Sequence, residues 1–189
     1  MNQRTALVVV FIAGFAACGG DQAPSVPTQP GTTTTLKLRF DPNFICGDAG
    51  WLCPDGGQAD LPTISVNLHL KLPSSCAVNE LNGSLTWDPN VARNTTLTLG
   101  PYMQQGGFTP TLTESRTASS LTFTLRRPNN APDVSGDGIF LTLPFTVAPT
   151  AAAGAVTTLR WTSATGYPRG SLTTCIQGGR DQDIMVIAS

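Results

Sequence analysis

Catalysis by this chain would rest on few side chains: one histidine, His69; two glutamates, Glu80 and Glu114; ten aspartates; and five cysteines. Nucleophilic hydrolysis needs a base held beside a nucleophile. His69 lies in an alternating apolar and polar run, Ile64 to Leu72, and no GxSxG elbow occurs anywhere in the chain. It is expected to be an exposed strand residue. Glycoside hydrolysis needs two carboxyl groups held across one bond, but the aspartates fall mostly in turn-like stretches. Asp41, Asp88, Asp133 and Asp137 each have a structural role open to them there, because Asp side chains bond the backbone of turns. Zinc would call for cysteines in CxxC-like spacing or beside histidine, and neither is found. Asp41, Asn43 and Asp48 offer oxygen ligands for a structural calcium ion, but their spacing fits no known cage. The residues therefore predict a chain that is not an enzyme and has no cofactor.

The cysteines divide into one and four. Cys18 closes an apolar run, Ala6 to Ala17, that carries no charge and no proline. That run has the length of a signal-peptide core and is too short for a bilayer span of about 20 residues. Phe15, Ala16, Ala17, Cys18, Gly19, Gly20 resembles the lipobox of bacterial lipoproteins. The resemblance implies that the Cys18 thiol is diacylglycerated, that residues 1–17 are removed as a signal peptide, and that Cys18 becomes an acylated N-terminus. Ordinary secretory cleavage after Ala17 is the other reading. With more than one acyl chain the membrane anchor would be effectively permanent. The location that follows is the bacterial cell envelope, lipid-anchored, on the periplasmic or cell-surface side. The remaining four, Cys46, Cys53, Cys76 and Cys175, are an even number in an oxidising compartment and predict two disulfides. Three pairings exist. Cys46 with Cys53 and Cys76 with Cys175 is favoured, because a glycine-containing turn can bring the first pair together. By chain entropy the long bridge contributes about 4 to 5 kcal/mol and the short one about 2.5 kcal/mol.

These sites must be carried by elements, and the pattern of the elements is uniform. Residues 18–35 hold Pro24, Pro27, Pro30 and a run of four threonines, with almost nothing to bury, and read as a tether reaching roughly 50 Å. Without residues 1–17 the chain keeps 172 residues, 10 basic and 12 acidic, enough for one domain. A balance so near neutral gives no reason to expect nucleic acid as a partner. From Leu36 to Ser189 the apolar period is two. Leu36, Leu38 and Phe40 alternate with Lys37 and Arg39, and similar runs occur at 81–87, 95–99, 109–113, 121–125, 139–147, 156–161 and 184–187. Asp-Pro, Gly-Gly, Pro-Asn-Asn and Ser-Gly-Asp-Gly clusters separate them, the turn chemistry that reverses strands. The expected fold is all-β, a single jelly-roll-like β-sandwich of about nine strands. Pro144 should place its strand at an edge or at a bulge. Asp41 to Asp60 lacks alternation and reads as an Ω-like excursion held by the short disulfide.

Leu81, Asn82, Gly83, Ser84, Leu85, Thr86, Trp87, Asp88, Pro89, Asn90, Val91 resembles the third strand of the cohesin domain, with its aromatic residue, Asp, Pro and short turn. Val134 to Val147 resembles the glycine turn and long apolar strand of that family. Gly154 before Val156 to Trp161, and Gly178 and Gly179 before Ile184 to Ile187, stand where cohesins turn into their last two strands. The resemblance covers most of residues 33–189. It implies a nine-stranded jelly-roll sandwich, related to cellulose-binding modules, that binds dockerin domains. On the matching strand it assigns the polar outward positions Glu80 and Asn82 to the partner, and strand parity adds Ser84 and Thr86 to the same face. The Asp41 to Asp60 insertion and the two disulfides depart from the family pattern. No DxNxDG calcium loop of dockerin type occurs in this chain, so the partner would be another protein.

Two binding chemistries are therefore in view. A protein-recognition module would use a flat strand face, whereas a polysaccharide module would line up exposed rings. Trp87 and Trp161 fall on inward parity, leaving Trp51, Tyr102, Phe108, Phe140 and Tyr167 as ring candidates. Of these Trp51, at the tip of the disulfide loop, best suits a single carbohydrate contact. Recognition of a dockerin-like or other envelope protein is the favoured function, with polysaccharide binding as the alternative. Asn82-Gly-Ser and Asn94-Thr-Thr also match the glycosylation sequon, which carries little weight in a bacterial lipoprotein.

Overall fold

Period-two alternation becomes two face-to-face sheets. The computed structural model of the protein describes residues 35–40, 50–56 and 61–188. Cys18, the signal and tether segments up to residue 34, Cys46, and Asp41, Asn43 and Asp48 lie outside the described residues, as does the Trp51 side chain. One six-stranded sheet runs in the order β1 (Leu36–Phe40), β12 (Gln182–Ala188), β10 (Val156–Tyr167), β4 (Glu80–Thr86), β8 (Ser120–Arg126), β7 (Thr111–Arg116), all antiparallel. The other runs β11 (Gly178–Gly179), β2 (Trp51–Gly56), β3 (Thr63–Lys71), β9 (Asp137–Val147), β5 (Ala92–Asn94), with β6 (Thr98–Leu99) also on β9. Ile64, Val66, Leu68 and Leu70 of β3 and Leu81, Leu85, Leu121, Phe123 and Leu125 of β4 and β8 point between the sheets and are buried. Each such side chain contributes about 1.5–3 kcal/mol by leaving water. Phe123 meets Phe140 across the sandwich at 5.8 Å, and Trp87 meets Phe145 edge-on at 5.4 Å.

The nine expected strands are present, and three short ones join them. β2 forms inside the segment read as an excursion, Asp41 to Asp60, because its ladder with β3, Leu52 opposite Leu70 and Cys53 opposite His69, is a long-range pairing without local period. β5 precedes the expected 95–99 strand, which is reduced to β6. β11 replaces a simple turn at Gly178 and Gly179 and pairs in parallel with β2. The Trp161 indole lies where a Gly179 Cβ would stand, so only glycine permits this approach.

Pro144 is neither at an edge nor at a bulge, a second departure. β9 lies between β3 and the β5 and β6 segments, and Pro144 pairs with Ser65 in regular register. Its carbonyl faces the gap between Asn94 and Thr98, where Asn94 Nδ2 donates to it at 2.7 Å. The missing N–H is on that same unpaired side, so no ladder bond is lost. The β9 irregularity falls instead at Phe140, the extra residue where Leu68 pairs with Leu141 and His69 with Ile139. It turns Phe140 and Leu141 inward together.

Cys76 and Cys175 form the expected long-range disulfide, with Cα atoms 6.1 Å apart and a sequence separation of 99. Cys53 is also disulfide-bonded; its expected partner, Cys46, lies outside the described residues.

Candidate functional site

β4 is central in its sheet, so its outward residues are flanked on both sides. Leu81, Gly83 and Leu85 are buried while Glu80, Asn82, Ser84 and Thr86 are half-exposed, as parity requires. Directly opposite residues of antiparallel strands share a face. Register therefore assembles two adjacent rows, Thr113, Thr124, Asn82, Thr165 and Ser115, Thr122, Ser84, Ser163, across β7, β8, β4 and β10. At about 4.8 Å between strands and about 7 Å between alternate residues, the rows form a plateau roughly 14 Å across. It carries seven hydroxyls, one amide and no charge. Ser84 and Thr122 hydroxyls hydrogen-bond at 2.7 Å, and Thr162 Oγ1 donates to the Ser84 carbonyl at 3.3 Å.

The next row holds the charges. Arg126 Nε contacts Glu80 Oε2 at 2.9 Å, and Asn82 Nδ2 donates to Glu80 Oε1 at 2.9 Å. Both carboxylate oxygens of Glu80 are thus engaged, and the residue presents a fixed ion pair rather than a free acid. At the outer edge, Glu114 and Arg116 of β7 pair at 2.9 Å on the inward parity of that strand. Inward charge of this kind blunts edge-to-edge pairing of an exposed strand.

Beyond the Glu80 row the sandwich end opens into a cleft of about 350 Å³, lined by residues that include Asn79, Asn129, Tyr167, Arg169 and Leu172. The 168–174 loop forms one wall. Arg169 holds it, its main-chain N–H donating to Asp133 Oδ2 at 2.9 Å and its guanidinium to the carbonyls of Pro128 and Ala131. The Cys76–Cys175 bridge ties down the end of the same loop. Opposite, Arg127 is buried and donates to the Met103 and Gln105 carbonyls at 2.7 Å each, with its guanidinium 5.4 Å from the Phe108 ring centroid. Burial lowers its pKa from the ordinary arginine value.

The remaining candidate residues are distributed apart from the plateau. His69 is half-buried rather than exposed: it stands opposite Cys53, itself fully buried, and its Nδ1 is buried with no hydrogen-bond partner. Among the described residues no three His, Cys, Asp or Glu side chains gather as metal ligands would. Asp88 takes the turn role expected of it, accepting from the Asn90 N–H at 2.8 Å, whereas Asp133 accepts from the Arg169 N–H of a distant loop. Two ring candidates belong to the core, Tyr102 because its 3₁₀ turn packs it on Gly138 and Phe140 because of the bulge. Phe108 and Tyr167 are half-exposed. Asn94, in the second sequon, is buried and spends both amide hydrogens on the Thr96 and Pro144 carbonyls. Asn79, Asn129, Arg169 and Leu172 carry no signal in the sequence, since three separate loops bring them together.

No protein-family profile and no curated protein matches the sequence. The fold does match solved structures. The sixth cohesin of scaffoldin B from Acetivibrio cellulolyticus, in complex with a mutant Cel5 dockerin, superposes with a TM-score of 0.58 at 16% identity, over 71% of this chain and 96% of that one. The third ScaC cohesin of the same organism, in complex with the ScaB dockerin, gives 0.57 at 20% identity over 80% and 99%. The OlpC cohesin of Clostridium thermocellum, in complex with Doc435, gives 0.55 at 12% identity over 81% and 93%. This chain carries a cohesin-like β-sandwich domain.

Proposed function

We propose that the protein is a non-catalytic binding module of the bacterial cell envelope that recognises a protein partner through the outer face of β10, β4, β8 and β7. The observation that carries this reading is the plateau: a four-strand, uncharged array of short hydrogen-bonding side chains, centred on a strand whose sides are both paired. Such a face has little side-chain entropy to lose on docking, because Ser, Thr and Asn are short. Support also comes from the cohesin-like fold, since the matched cohesins are held in complexes with dockerins. The β4 positions that the sequence resemblance assigns to a partner, Glu80 and Asn82, stand on this face. The partner is a dockerin-like or other envelope protein. Lipidation of Cys18 tethers the module to the membrane, with residues 18–35 as spacer.

The test is a pull-down from native envelope with wild-type and Ser84→Arg protein, alongside thermal melting. Ser84→Arg plants a long cation at the plateau centre, opposite Thr122 and Ser163. It should abolish capture by steric and electrostatic exclusion while changing stability by less than about 0.5 kcal/mol, the usual range for surface substitutions. Undiminished capture by a stably folded Ser84→Arg protein would remove the plateau as the site.

A further inference from the structure

We propose that the cleft at the sandwich end is a saccharide site, taking a short, neutral oligosaccharide unit. Its charges cancel locally: Arg126 is paired with Glu80 at 2.9 Å, and Arg169 with Asp133 at 3.8 Å. The cleft thus has no net charge to favour a polyanion or a polycation, yet it is dense in hydrogen-bonding groups. Asn79 is only 5% exposed, and its Nδ2 is buried without a partner. An unpaired buried amide of this kind is costly unless something satisfies it. Asn129, exposed in the Pro128 turn, and Arg126, whose side chain is 63% exposed beside Glu80, line the cleft with further amide and guanidinium groups. Asn, Glu and Arg are planar forks that span two adjacent hydroxyls, each hydroxyl being donor and acceptor together.

The apolar complement is there as well. Tyr167 lines the cleft from the end of β10, and Leu172 stands on its rim, an apolar side chain 97% exposed among the described residues on a disulfide-anchored loop. A sugar ring has just this duality, with C–H faces that lie on a ring or an isobutyl group and an equator of hydroxyls for the forks. A volume of about 350 Å³ is at the small end of ligand pockets, suited to a unit or two of a glycan. This site is separate from the Trp51 contact expected from sequence, and it stands whether or not the plateau binds protein.

Titration calorimetry on the purified full chain tests it, with cellotriose, maltotriose and xylotriose as neutral probes and trigalacturonate and deacetylated chitotriose as charged ones. At least one neutral trisaccharide should bind. Tyr167→Ala and Asn129→Ala should each weaken it at least tenfold with melting temperatures near wild type, whereas Ala153→Arg, in the exposed turn before β10 and outside both the plateau and the cleft, should stay within twofold. The proposal is overturned if no neutral probe binds, if a charged probe binds more tightly, or if affinity survives both cleft variants. Loss on Trp51→Ala with both cleft variants intact would overturn it too, moving the carbohydrate contact to β2.

Discussion

Gly83 is buried at the centre of β4, directly beneath the plateau, and its lack of a side chain is what lets the core close there. A Cβ built on it would stand 2.7 Å from Phe123 Cζ and 2.7 Å from Trp161 Cζ3. Neither ring can yield easily. Phe123 is 1% exposed and packs on Phe140, and Trp161 is held edge-on to Phe123 at 6.3 Å and lies over Gly179. Gly83→Ala should therefore overpack the core, at a cost of about 1–3 kcal/mol. Replacing glycine within a strand returns about 0.5–1 kcal/mol of backbone entropy, so the net loss at mid-range is about 1.3 kcal/mol. In a domain of this size each kcal/mol moves the melting temperature by about 2–4 °C, which predicts a fall of about 3–5 °C by calorimetry. Phe123→Leu made in addition should relieve part of the strain, so the double variant should be less destabilised than the sum of the two single changes. An unchanged or raised melting temperature for Gly83→Ala, or strict additivity in the double variant, would refute the close-packing argument.

The other expectations are independent of that one. Leu85→Ala removes a fully buried side chain and should cost about 2–5 kcal/mol by cavity formation, weakening partner capture only in proportion to unfolding. Tyr102→Phe should hold or raise stability near neutral pH, because the buried Tyr102 hydroxyl has no hydrogen-bond partner. Burial, with the Asp137 carboxylate second, raises the Tyr102 pKa well above its ordinary value. A raised folded pKa means stability that is present below the unfolded value of about 10 and lost as pH climbs above it; alkaline melts of wild type should show that loss, and those of Tyr102→Phe should show less of it. Non-reducing peptide mapping should join Cys76 to Cys175 and Cys46 to Cys53, and crossed pairs or free thiols would contradict the assignment. Cys18→Ser should shift the protein from the detergent phase to the aqueous phase or block its maturation, and normal processing with detergent partition would dismiss the lipid anchor.

The sandwich was legible because burial on one face leaves a period that no other structure imitates. Ile64 to Leu72 and Leu81 to Trp87 announce their inward and outward sides residue by residue, and with them the face on which Glu80, Asn82, Ser84 and Thr86 stand. What escaped the pattern depends on partners distant in sequence. β2, with its Trp-Leu-Cys-Pro-Asp-Gly composition, has the makings of a turn, and it is a strand only because β3 lies ready to pair with it. Phe140 reads as outward by parity until the bulge adds one residue and turns it in. Pro144 reads as an edge residue, but the break between β5 and β6 supplies the same freedom inside the sheet. The rows of the plateau required the register of four strands, which no single stretch encodes.

Arg126 and Arg127 show how that alternation assigns chemistry. They are consecutive and identical in type, yet Arg126 closes β8 on the outward side, where its side chain is 63% exposed beside Glu80, while Arg127 turns inward and is 1% exposed. A buried guanidinium is costly unless its donors are met; here two carbonyls of the Tyr102–Gly107 turn accept from its Nη1 and Nη2 and the Phe108 ring lies beside it, while Nε is buried without a partner among the described residues. The Arg127 N–H also bonds the Asn79 carbonyl at 2.9 Å, extending the β4–β8 ladder one step past the strand ends. The inner arginine thus fixes the backbone from which Arg126, Asn129 and Asn79 reach the cleft. The floor of the cleft is set by the core itself, and the disulfide-tied loop stands over it as one wall.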